Sequence, residues 1–168
     1  MKNSIFGLAA VAAMACAPAH AAIDSYFAAL LGANEVGAGD PDGFGTALVS
    51  IDNVANTVSW AFLVNNIASL TGAHIHQASA GVNGDVKVDF SASLSGSNLF
   101  DVDLALINPG NAAGFYVNLH TGQFPGGAIR GQLQYVGTVT APVPEPETYA
   151  LMLAGLGVVG WLARRRKV

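Results

Sequence analysis

Between residues 22 and 140 the chain is a series of short apolar runs, alternating with polar residues and broken at close intervals by Gly, Asn, Asp or Pro, with no helical period in the stretch. Successive side chains of a strand point to opposite faces, so such a chain buries one side of each run by building antiparallel sheet. The alternation predicts strands over 25–31, 46–51, 57–64, 72–76, 86–90, 101–107, 114–120 and 128–136, and reads 91–98 as a flexible connection. Turn chemistry falls between them: Asp52-Asn53, Asn65-Asn66, the glycines of 81–84, Asn108-Pro109-Gly110 and Pro125-Gly126-Gly127. The expected fold class is all-β, an antiparallel β-sandwich or flattened barrel over 22–140, without internal repeats.

Both ends of the chain read as addresses. Lys2 precedes an apolar stretch over 5–17, and Ala19-His20-Ala21 is the small-x-small pattern that signal peptidase cuts after, so 1–21 is expected to be a signal peptide. Cys16 lacks the leucine-like residue three places earlier that lipoprotein processing uses. The cut removes this cysteine, the only one, which excludes disulfides and thiolate chemistry from the mature domain.

At the other end, residues 141–147 form a Pro/Glu linker containing Pro144, Glu145 and Pro146, followed by sixteen uncharged residues over 148–163 and a basic tail over 164–168. Sixteen helical residues rise about 24 Å, somewhat short of the ~30 Å hydrocarbon core; Trp161 and the arginines can snorkel to complete a transmembrane helix. The basic tail would keep the C-terminus cytoplasmic and the β-domain outside.

The expected mature domain carries nine acidic residues against Lys87 and Arg130, a net charge of −7. That excludes nucleic-acid binding, which needs clustered Lys and Arg to neutralise phosphates. The acidic turn Asp40-Pro41-Asp42 lacks the spacing and terminal glutamate of a calcium loop and reads as a solvated turn.

Three of the four histidines lie in two strand-like segments, His74 and His76 in AHIH and His120 in FYVNLHTG. Alternation puts Ala73 and Ile75 on one face and both imidazoles on the other. By the same rule Val117 and Leu119 face the core while Tyr116, Asn118 and His120 point away, and Ile129 and Leu133 face inward while Arg130, Gln132 and Gln134 point outward. Imidazole is the usual ligand for zinc and copper. If the two strands are neighbours, Cβ atoms across the ladder lie about 5 Å apart and one ion can reach all three rings; if they are not, these are surface histidines. Arg130 is expected to form a structural ion pair with one of the acids, Glu35 being the candidate, in preference to binding an anion.

The segments FAALLGANEVG, AHIHQASAGVNGDVKVDF and GFYVNLHTGQFPGGAIRGQL together resemble the CHRD domain, from about Tyr26 to Leu133. That resemblance implies an immunoglobulin-like sandwich or barrel of no settled activity, with His74 and His76 from its HIH motif, His120 from its NxH segment and Arg130 from its IRGQ motif as the residues carried over. The family often has Pro after NEV and Glu before IRGQ, where this chain has Gly37 and Ala128. Val143-Pro144-Glu145-Pro146 with its apolar run and terminal arginines resembles the PEP-CTERM sorting signal of Gram-negative bacteria. It implies an exosortase-type enzyme as a partner beside signal peptidase, brief residence in the inner membrane, then delivery to the periplasm, outer surface or extracellular matrix, as in a biofilm.

A His-x-His strand on a β-domain is also similar to copper/zinc superoxide dismutase, but that chemistry needs about six histidines and an aspartate. The expected mature chain has three histidines, and it offers no G-x-S-x-G, Cys/His pair or paired-carboxylate motif. The sequence therefore points first to a non-enzymatic exported protein holding copper or zinc through His74, His76 and His120. A metal-free module binding exopolysaccharide or an envelope protein stands beside it, and a mononuclear metalloenzyme stands third.

Overall fold

The structure, a computed structural model, describes residues 20–142 and 146–165. Residues 1–19 of the expected signal peptide, Pro144 and Glu145 of the sorting motif, and 166–168 lie outside the described residues. The strands are β1 (His20–Leu31), β2 (Phe44–Asp52), β3 (Thr57–Asn65), β4 (Leu70–Gln77), β5 (Asp85–Asp89), β6 (Ser95–Phe100), β7 (Phe115–Thr121), β8 (Ile129–Gln132) and β9 (Gln134–Pro142). His20 and Ala21, expected to leave with the signal peptide, begin β1.

The β2–β3 hairpin shows how the sequence sets register. Asp52 pairs with Thr57 across a turn in which the Asp52 carboxylate accepts from the N–H groups of Val54 and Ala55, each at 2.9 Å, and Asn56 takes the left-handed conformation at φ 52°. That register puts Ala47, Val49 and Ile51 on the buried face together with Val58 and Phe62.

Of the two expected forms, sandwich or flattened barrel, the strands take neither in full: they make one continuous antiparallel sheet, ordered β5-β4-β7-β8-β1-β2-β3-β6 with β9 also on β1, curled into a half-barrel. One core explains the curl. Side chains from one end of the strand order (Ile75, Val88, Val117, Leu119) and from the other (Ala47, Val49, Ile51, Phe62) belong to a single buried cluster. Phe90, which follows β5, meets Trp60 and Phe62 of β3 at ring separations of 4.7 and 5.5 Å. Strand twist brings the two ends of the path together over that core.

Three local expectations are corrected. Residues 95–98, read as part of a flexible connection, belong to β6, which pairs with β3. Trp60 fixes it, donating its indole N–H to the Ser93 carbonyl at 3.1 Å and lying so close over Gly96 that a Cβ there would come within 2.2 Å of the ring. Residues 101–107, read as a strand, form a 3₁₀ turn over Val102–Leu106; the Asp101 carboxylate caps it by accepting from Asp103 N–H at 2.9 Å, and Leu104 and Ile107 are buried three apart. The expected strand 128–136 divides at Leu133, which is buried and bonded to the Phe115 carbonyl, so that β8 follows β7 and β9 joins β1.

β9 runs to Pro142 and an α-helix, α1 (Pro146–Arg165), opens on Pro146, a residue whose fixed φ suits a first helical position, while 143–145 of the expected linker lie outside the described residues. Among the described residues no helix is long and apolar enough to cross a membrane, so the expected transmembrane helix is not supported. The sixteen-residue apolar run, about 24 Å long, is flanked within α1 by Pro146, Glu147, Arg164 and Arg165, which leaves too short an apolar length for a ~30 Å core.

Candidate metal centre

Strands β4 and β7 are neighbours, which is the condition for the three histidines to meet. His74 stands opposite Asn118, His76 opposite Tyr116, and His120 opposite Gly72. A Cβ on Gly72 would lie 3.0 Å from the His74 ring and 3.7 Å from that of His120, so the glycine makes room for both imidazoles. Ring centroids stand 4.9 Å apart for His74 and His120, 5.5 Å for His74 and His76, and 6.1 Å for His76 and His120. One ring nitrogen from each lies within 4.8 Å of the others, a group that could hold a metal ion.

The histidine face is covered. Ala73, Ile75, Val117 and Leu119 take the core side as alternation requires, but Tyr116, Asn118 and Arg130 on the opposite side are also buried, as is His76. Segment 78–84 lies over His76, Tyr116 and Arg130, and Pro125 reaches His120.

Those covering segments orient the rings. His76 Nδ1 lies 2.9 Å from the Gly84 carbonyl and His120 Nδ1 lies 3.0 Å from the Pro125 carbonyl; a carbonyl only accepts, so each Nδ1 bears a proton, and in the neutral ring the lone pair is on Nε2. His74 Nε2 faces the Asp89 carboxylate at 3.6 Å from the directly opposite position on β5. The nitrogens left over, His74 Nδ1, His76 Nε2 and His120 Nε2, are buried without a hydrogen-bond partner. Burial, with the neighbouring imidazole of His120 as the next cause, holds His74 below the ordinary imidazole range, and burial first does the same for His76 against the opposing Gly84 hydrogen bond. Neutral rings with inward lone pairs are the form a metal ion takes.

The expected Arg130–Glu35 ion pair does not form among the described residues. Arg130, 1% exposed, donates to the carbonyls of Ser79 (3.0 Å) and Val82 (2.8 Å) and to the side-chain oxygens of Asn83 (3.2 Å) and Gln132 (3.3 Å). Its guanidinium carbon lies 3.4 Å from the Tyr116 ring centroid. Glu35 is held by Asn118 Nδ2 at 3.4 Å, and burial pushes its carboxyl up to about 7 against the lowering effects of Arg130 and Asn118. Peptide carbonyls displaced the carboxylate as the partner, a competition that no sequence pattern announces. Of the other two outward positions, Gln132 is half-buried, bonded to the carbonyls of Ala78 and Ala113, and Gln134 is exposed.

Asp89, Gly72, Gly84 and Tyr116 were not singled out by sequence reasoning. Asp89 faces His74 because the β4–β5 ladder shifts register between Ile75 and His76; a regular hairpin continued from Gln77 opposite Asp85 would have set Val88 there, so no turn signal announces it. A cleft of about 460 Å³ is lined by Glu35, Arg130 and Gln132 among others, and one of about 660 Å³ by Asp40, Asp42 and Gln123 among others; neither has a histidine in its lining.

A curled antiparallel domain that covers both faces of its β4–β7–β8 segment and leaves three imidazole nitrogens converging defines a β-module with a candidate metal centre. The chain matches the CHRD domain over residues 26–133 and the PEP-CTERM protein-sorting motif over 142–167. It belongs to the CHRD domain family. No curated relative and no solved structure matches. The sorting motif marks a protein exported to the cell envelope or surface and implies an exosortase-type enzyme as its processing partner.

Proposed function

We propose that this is a non-enzymatic metal-binding module of the envelope or extracellular matrix that holds one copper or zinc ion through His74, His76 and His120. The observation that carries the proposal is the set of three buried, unpartnered ring nitrogens on rings whose other nitrogens face a carbonyl or carboxylate. Buried polar atoms normally find partners, and three lone pairs with no donor among them call for a cation. Carbonyl and carboxylate partners on the outer nitrogens are the arrangement that fixes the tautomer of metal-bound histidine. One ligand nitrogen from each ring lies within 4.8 Å of the others, close enough for the three side chains to share a single ion. Copper or zinc follows from the donor set, since imidazole suits both and the group contains no thiolate. Export delivers the centre to a compartment where the acidic domain attracts cations.

Metal analysis of the full-length protein recovered from the envelope is the test. About one copper or zinc per chain is expected, falling to background in His120→Ala while the far-ultraviolet spectrum is unchanged. Metal-free protein that stays metal-free on titration with both ions would discard the role.

A further inference from the structure

Arg130 is a buried cation whose hydrogen-bond partners are all uncharged. Burying a guanidinium is costly unless its donors are satisfied, and here every acceptor is a neutral oxygen. Three of the four, Ser79 O, Val82 O and Asn83 Oδ1, lie in the single segment 78–84. That segment ends at Gly84, whose carbonyl receives the His76 Nδ1–H and whose N–H donates to the Tyr116 hydroxyl at 3.1 Å. The Tyr116 ring in turn lies parallel to His76, centroids 4.9 Å apart with 7° between planes, and also carries the Arg130 guanidinium. Because β7 lies between β4 and β8, His76 and Arg130 approach Tyr116 from opposite sides. Two paths therefore run from Arg130 to one imidazole: through the peptide segment to its Nδ1, and through the aromatic ring to its face.

We propose that Arg130 is the positioning residue of the histidine centre: it clamps segment 78–84 and the Tyr116 ring so that His76 is locked with Nδ1–H on Gly84 O and Nε2 toward His74 and His120. The consequence for metal affinity rests on the metal-binding role proposed above, whereas the effect on the ring itself does not. Lysine cannot replace the guanidinium, because a single ammonium cannot span Ser79, Val82, Asn83 and Gln132 while lying flat on Tyr116.

The test compares full-length wild type, Arg130→Lys and Tyr116→Phe. In metal-free protein, nitrogen-15 spectra of the imidazoles should show wild-type His76 as one tautomer with a slowly exchanging Nδ1–H, and Arg130→Lys should average it between tautomers. Zinc titration should then give a dissociation constant weakened about 10–100-fold in Arg130→Lys. Tyr116→Phe keeps the stacked ring and loses only the Gly84 tie, so about 2- to 10-fold is expected there, and it serves if the lysine variant does not fold. A wild-type His76 signature together with wild-type zinc affinity in a folded Arg130→Lys, or in Tyr116→Phe should the lysine variant fail, would overturn the proposal. If wild type takes up no zinc yet Arg130→Lys still releases the His76 tautomer, the metal-binding role fails and the positioning role stands.

Discussion

The two halves of the sheet obey different rules. In β2 and β3 burial is one-sided: Ala47, Val49 and Ile51 are fully buried, while Leu48 and Leu63 on the other face are 53% and 68% exposed. In β7 the residues from Phe115 to Leu119 are all buried, core side and polar side alike. A solvated face needs no partners, but a buried polar face must satisfy every donor and acceptor. In the β4–β7–β8 half that demand is largely met by the carbonyls of segment 78–84, which take up Arg130 and Gln132, and the histidine nitrogens are conspicuous among the atoms that remain. Function is therefore sought where two-sided burial leaves polar atoms over, not where the surface is merely polar.

The sharpest way to break the contrast is to truncate one apolar residue in each half. Ile75→Ala removes a side chain packed in the common core beneath the histidines and should cost about 2–5 kcal/mol, whereas Leu48→Ala on the open face should change stability by no more than about 0.5 kcal/mol. Urea denaturation followed by far-ultraviolet dichroism measures both. Equal costs would mean that the outer face of β2 is covered.

How much could be read from the residues follows the same division. One-sided strands announce themselves, so β2, β3 and the core faces of β4 and β7 were legible as alternation, and with them the shared orientation of His74 and His76. Convergence with His120 was conditional, because strand adjacency is set by the order in which distant segments pair and not by any local pattern. The cover over the polar face was not legible: 78–84 is a run of small and polar residues whose contribution is made by its main chain, and so the partners of Arg130 were sought among the acids. In 101–107 the pattern fits a strand equally well, and only the Asp101 cap and the three-residue spacing of Leu104 and Ile107 distinguish the turn that forms.

A mid-sized effect probes the edge of the one-sided half. In Gly96→Ala the new Cβ would come within 2.2 Å of the Trp60 ring, which must tilt away, loosening its bond to the Ser93 carbonyl and its contact with Phe90. Overpacking of this kind costs roughly 1–3 kcal/mol. Thermal unfolding should show the loss, with tryptophan fluorescence shifted to the red by partial exposure of the indole. An unchanged spectrum would mean that β6 is held by its ladder alone and not by Trp60.

The smallest effect separates titration on the two-sided face from everything else. Glu35 has its carboxyl raised by burial from 4.5 to about 7, so across that interval the folded state keeps a proton that the unfolded chain has released. Its stabilising contribution is complete below the unfolded value and is lost as pH rises through about 7. His74 and His76, whose lowered values act in the opposite sense, favour folding above the ordinary imidazole range and lose that contribution as pH falls. Wild type and Glu35→Gln share those histidines, so the difference between their stabilities isolates the carboxyl. The glutamine keeps an acceptor for Asn118 and stays neutral, so wild type should lose stability relative to Glu35→Gln between about pH 5 and 8. For a partly exposed group, screened by solvent, that loss is on the order of 1 kcal/mol. Urea midpoints of the metal-free proteins at several pH values give the difference directly, and a gap that stays constant with pH would show that Glu35 is ionised in the fold and solvated like an open-face residue.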